Sequence, residues 1–128
     1  MIKELPSIQH FLIDLLKSQQ PILKIVHDNE DKFEVAGTIP AMQGRKKVDG
    51  FHFATIMPKP KDIRLYFFPV YTHADPLAEG LSDELRKCLK GKNCFHIKSI
   101  SDDMAEELRE LVSRSISLYQ KDGLLAKS

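Results

Sequence analysis

The sequence predicts an α+β fold, a mainly antiparallel sheet of four strands or more with the N- and C-terminal helices packed on one face. Three observations carry this expectation. Both ends of the chain have apolar residues at helical spacing, the stretch between them alternates with a period of two, and Pro and Gly divide that stretch at short intervals. The 128 residues suit a single domain spanning 1–128.

Each element has its own signal. Ile8, Phe11, Leu12, Leu15 and Leu16 form the stripe of an amphipathic helix, with Pro6 in a first turn that needs no N–H from it. Pro21 is expected to restart a short helical piece with Ile22, Ile25 and Val26 inward, ended by the polar run 27–31. From Phe33 the period becomes two, with Phe33, Val35, Gly37 and Ile39 on one side of a first strand. Pro40 and Gly44 mark a loop whose tip carries Arg45, Lys46 and Lys47.

A second strand is predicted over 51–56 and a third over 63–70, joined by a hairpin connection at Pro58-Lys59-Pro60-Lys61-Asp62. The third is apolar at nearly every position after Arg64, which suits a central strand. A loop containing Asp75-Pro76 follows. Ser82 is the natural N-cap of a short helix that turns Leu85, Cys88 and Leu89 inward and stops at Gly91. Residues 93–97 make a fourth strand. The last helix begins at Ser101 and carries Met104, Leu108, Leu111, Val112, Ser115 and Tyr119 along one side, with Gly123 at its C-terminal cap.

Composition narrows the function. A net charge of +1 gives no global field to draw in nucleic acid or an anionic membrane. No apolar run reaches the length of a membrane span, and Glu4, His10 and Asp14 interrupt the N-terminal segment where a signal peptide would be continuous. Cys88 and Cys94 are too few for a disulfide framework and read as free thiols. Together these features predict a cytoplasmic protein.

The segments FHFATIMPKPKDIRLYFFPVYT at 51–72 and LKGKNCFHIK at 89–98, followed by one amphipathic helix, resemble the YdhG-like family of bacterial proteins. Tyr66-Phe67-Phe68-Pro69 fills the place of that family's aromatic strand end, and Lys90-Gly91-Lys92 that of its Gly-Lys turn. Most members are domains of unknown function. The resemblance implies helices packed on a mainly antiparallel sheet, and it implies no reaction. The leading expectation is no cofactor. One member of the family resembles frataxin and is described as an iron chaperone, and on that alternative iron would be the cofactor, with Asp28, Glu30, Asp31 and Glu34 its acidic residues, beside His27. On the first helix this chain mixes Lys3 and Lys17 with Glu4 and Asp14 in place of a dense acidic stripe.

Strand alternation points to a candidate face. If Phe33, Val35, Phe51, Phe53, Leu65, Phe67, Phe95 and Ile97 meet the helices, then Glu34, Thr38, His52, Arg64, Tyr66, Phe68, Cys94, His96 and Lys98 look the other way. Ionisable and aromatic groups mixed in this way suit a small-ligand site, a protein partner or a second copy of the chain. The solvated face of an ordinary antiparallel sheet has the same composition. A monomer and a homodimer are both compatible with it.

Other constellations have plainer explanations. His52, Cys94 and His96 are metal-ligand types, but side chains two apart on a strand stand nearly 7 Å apart. Cys94 beside Lys92 and His96 could be an activated thiol, yet no base and oxyanion hole accompany it. Lys90-Gly91-Lys92 could hold an anion, though a helix-stop glycine explains the motif. Arg45, Lys46, Lys47, Lys59 and Lys61 could touch phosphates, but no basic helix or stacking platform accompanies them. The leading expectation is a non-enzymatic binding domain using Lys92 and the face around His52, Arg64, Tyr66, Phe68, Cys94 and His96. Frataxin-like iron handling comes second, and an enzyme acting through Cys94 and His96 third.

Overall fold

The computed structural model describes residues 1–127 and is α+β. Eight strands and four α-helices follow one another as α1 (Leu5–Lys17), β1 (Leu23–Asp28), β2 (Phe33–Gly37), β3 (Ala41–Gln43), β4 (Lys46–Val48), β5 (His52–Pro58), β6 (Ile63–Phe67), α2 (Pro69–Thr72), α3 (Asp83–Cys88), β7 (Leu89–Lys90), β8 (Cys94–Ile97) and α4 (Asp102–Lys121). A six-stranded sheet runs β1-β2-β5-β6-β8-β7 with every pair antiparallel, and β3 and β4 form a separate hairpin. The expected four strands are therefore β2, β5, β6 and β8, and each edge gains one more.

The core lies between one face of the sheet and the two long helices. Leu12, Leu15 and Leu16 of α1 meet Leu108, Leu111 and Val112 of α4 over Leu65 and Phe67 of β6. The helix-facing set read from alternation, from Phe33 to Ile97, is buried throughout. Tyr119 is fully buried near the end of α4, edge-on to Phe51 and Phe53 at 5.3 and 5.8 Å. The caps follow the sequence: Ser82 Oγ accepts from Leu85 N–H at 3.2 Å, and Ser101 Oγ from Met104 N–H at 3.1 Å. Gly123, at φ +78°, closes α4 as its Leu124 neighbour donates to Tyr119 O at 2.8 Å.

Several elements depart from expectation. The helical piece expected over Ile22–Val26 is the edge strand β1. Pairing Leu23 with Gly37 and Ile25 with Val35 gives this polar-flanked segment inter-strand hydrogen bonds and buries Leu23. The loop expected at Pro40–Lys47 contains the β3–β4 hairpin, in which Gly44 at φ +64° occupies the first position of a two-residue turn. The third strand stops at Phe67, because Phe68 begins the turn of α2, and a single π turn over 74–78 replaces the loop around Asp75-Pro76. Gly91 does not end α3. The helix stops at Cys88, and Gly91, at φ +70°, lies in the turn that pairs β7 with β8.

One irregularity sets the faces of β5. Val35 pairs with Ala54 but the adjacent Ala36 pairs with His52, so Phe53 is a bulged extra residue. Phe53 and Ala54 are both fully buried, and His52 still shares the opposite face with Thr55. Without the bulge, Phe53 and Ile56 could not both reach the core.

Candidate functional site

The long helices α1 and α4 pack on the first face of the sheet, and the short helices α2 and α3 reach only the rims of the second, through Tyr71 and Lys87. Directly opposed pairs lay Glu34, Thr55, Tyr66, Cys94 and Lys90 in one row across five strands. Met57, Arg64 and His96 form a neighbouring row. Glu34, His52, Arg64 and His96 keep between a fifth and a third of their side-chain surface in solvent. Thr38 and Lys98 lie just beyond the ends of β2 and β8 and are exposed.

The face divides into two ends. At one, the His52 and Phe68 rings lie 5.8 Å apart, Phe68 stacks on the half-exposed Tyr71 at 5.6 Å, and Lys92 Nζ sits 5.4 Å from the Tyr71 ring centre. The β3–β4 hairpin overhangs this corner: His52 N–H donates to Gln43 Oε1 at 3.2 Å, and a recess of about 480 Å3 contains Glu34, Gln43 and His52. His52 Nδ1 stands 3.4 Å from Glu34, whose carboxylate also faces Lys32 at 3.5 Å and His27 at 3.9 Å. Burial lowers the His52 pKa, and Glu34 opposes that shift in part. Close backbone approach shapes the same corner. A Cβ on Gly50 would collide with the carbonyl oxygen of Gly37.

At the other end, Asp62 lies in the β5–β6 turn and is only 6% exposed. Its Oδ1 accepts from Arg64 Nε at 3.2 Å, and its Oδ2 lies 3.7 Å from His96 Nδ1. By sequence pattern Asp62 belongs to the hairpin connection alone. The available signal was its place as the one carboxylate in Lys59-Pro60-Lys61-Asp62-Ile63-Arg64. Tyr71 was also missed as a site residue, because its position depends on the turn that ends β6.

His52 and His96 are not brought together. Ala54 pairs with Phe67, so His52 lies level with the far end of β6, whereas His96 sits opposite Arg64 near its start. The metal grouping of His52, Cys94 and His96 is thus divided between the two ends. Cys94 is 8% exposed, and burial raises its pKa despite the Tyr66 hydroxyl and the Arg64 guanidinium nearby. That environment favours the neutral thiol, the opposite of an activated nucleophile. Of the acidic set, Asp28 pairs with Lys17 at 4.0 Å, Glu30 and Asp31 are exposed in the β1–β2 turn, and Glu34 belongs to the His52 corner.

A further cluster lies off this face. Thr72 Oγ1 is 2.7 Å from Tyr119 Oη and 3.0 Å from His73 Nδ1, and His73 Nε2 is 2.6 Å from Asp122 Oδ2. These contacts join α2 to the end of α4. No helix among the described residues is long and apolar enough to cross a membrane. Set against protein-family models, curated proteins and solved structures, the chain matches none of them.

Proposed function

We propose that the protein is a non-enzymatic binding domain of YdhG-like type that recognises a small ligand or a protein partner through the open face of its sheet. The observation that carries this reading is the division of labour between the faces. Both long helices pack on one side, and the other keeps partly exposed imidazole, guanidinium and phenol groups in register, with the Phe68 ring beside His52. Such mixed surfaces supply apolar contact and directional polar contact together. The neutral, buried thiol of Cys94 favours binding over nucleophilic chemistry.

Fragment screening by amide NMR on the full chain tests the proposal. Hits should perturb His52, Phe68, Tyr71 and Lys92, or Arg64 and His96, and His52→Ala should weaken those that map to its own corner. Perturbations confined to the groove between α1 and α4, lined by His10, Phe11 and Arg109, would overturn it. Iron handling through Asp28, Glu30, Asp31 and Glu34 is the competing reading. Anaerobic calorimetric titration with ferrous iron separates the two.

A further inference from the structure

The sequence has a net charge of +1, yet its cations are unevenly placed. Two recesses adjoin at the Asp62 end of the open face and share Asp62 and Lys98. One, of about 290 Å3, is lined by Lys59, Lys61, Arg64 and Lys98; the other, of about 370 Å3, adds Lys87, Lys90 and His96. Six permanent cations therefore face two carboxylates, Asp62 and Glu84. None of the five lysines forms an ion pair among the described residues. Glu84 is engaged elsewhere, accepting from Ser101 Oγ at 2.7 Å.

Asp62 gives the cluster a structure that scattered surface lysines lack. Its nearly buried carboxylate holds Arg64 by Nε and stands beside the Nδ1 edge of His96. Asp62 engages Arg64 through Nε, so the two terminal guanidinium nitrogens, with the Tyr66 hydroxyl beside them, keep donors beyond that contact in the fork geometry that matches a phosphate. A nearly buried carboxylate in the wall of both recesses that fixes an arginine by one edge, with a histidine close by, acts as the supporting shell of a ligand site. The lysines add point charges around it, and the recess walls concentrate their field.

We propose that this end of the face binds a small phosphate-bearing molecule, with Arg64 as the directional contact, Lys59, Lys61 and Lys98 as charge partners, and Asp62 as the positioning residue. The inference rests on the reading of the open face as a binding surface and names its ligand class. A small molecule fits better than a nucleic acid. The charges are confined to two recesses, and the exposed aromatic rings that could stack bases lie at the opposite, His52 end.

Titration of the full chain with inorganic pyrophosphate at low salt, followed by calorimetry and amide NMR, tests it. Saturable binding should shift Asp62, Arg64, His96 and Lys98 and leave His52 and Phe68 in place. Arg64→Gln should weaken binding about tenfold or more, the usual effect of losing a charge-assisted hydrogen bond. Arg64→Lys, which keeps the charge and loses the fork, should also weaken it. Asp62→Asn is the sharpest variant. Simple charge attraction predicts tighter binding when a negative charge is removed, whereas a positioning role predicts weaker binding.

Tighter binding by Asp62→Asn, unchanged binding by Arg64→Gln, or no saturable binding of pyrophosphate would each overturn the inference. So would a short single-stranded oligonucleotide that binds more tightly and shifts the Tyr71 end. If pyrophosphate fails while fragments still map to His52 and Phe68, the phosphate site falls and the binding face stands.

Discussion

The protein pairs an imidazole with a carboxylate at opposite ends of its architecture, and the two pairs are built differently. At the end of α4, His73 and Asp122 meet at 2.6 Å, Thr72 takes the other ring nitrogen at 3.0 Å, and Thr72 also satisfies the buried hydroxyl of Tyr119. Each polar group in that chain is answered by another group of the protein. In the β5–β6 turn, Asp62 accepts from Arg64 at 3.2 Å and lies 3.7 Å from His96, with lysines in no ion pair among the described residues lining the recesses around it. The closed network fastens two elements together. The open one leaves bonding capacity for something from outside.

Mutation should separate these roles. Tyr119→Ala is expected to produce the largest effect, a loss of about 3–5 kcal/mol in denaturant unfolding, because it empties a fully buried site among Phe51 and Phe53. Gly50→Ala should come next, at about 1–3 kcal/mol, since its new Cβ meets backbone that cannot rotate away. Tyr119→Phe should cost about 1 kcal/mol by removing one partly buried hydrogen bond, while the Thr72 hydroxyl keeps its contact with His73 Nδ1. Lys98→Gln, on the exposed rim of the recesses beside Asp62 and in no ion pair among the described residues, should change stability by less than about 0.5 kcal/mol. A loss from Lys98→Gln as large as that from Tyr119→Phe would erase the distinction between the two ends.

Two smaller effects sharpen the picture within the open face. The folded-state pKa of His52 lies below its ordinary value of 6.5, so between those two values the unfolded chain binds more protons. Stability from this group is therefore fully present above about pH 6.5 and is lost as pH falls through the lowered value. Thermal unfolding between about pH 7 and pH 5 should show a shallower decline in His52→Gln than in the parent. An unchanged slope would place the acid sensitivity elsewhere. Finally, a thiol probe near neutral pH should modify the partly exposed Cys88 before Cys94, and modify Cys94 quickly only after unfolding. Rapid reaction of Cys94 in the folded protein would revive the enzymatic reading.

Much of the framework was legible because it depends on local patterning. Ser82 and Ser101 mark their helices through a hydroxyl that a nearby N–H can reach, and the α4 stripe from Met104 to Tyr119 needs only a period of 3.6. The alternating residues of β6 and β8 likewise revealed their inward and outward sets. Segments whose identity depends on a neighbour were less legible. Ile22–Val26 has a short apolar pattern that suits either a helix or a strand, and pairing with β2 decides between them. Gly91 has a positive φ that serves a helix stop and a hairpin turn equally well.

By itself the sequence determined the α+β class, the two amphipathic helices, the antiparallel strands and a sheet with chemically different faces. Those follow from periodicity, capping and turn chemistry, which act over a few residues. Only the tertiary structure decided that the outward face has two ends. The Phe53 bulge keeps His52 on that face at one of them, and strand register carries His96 to Asp62 and Arg64 at the other. Register and bulges arise from how strands meet across the sheet, and no window along a single strand contains that information.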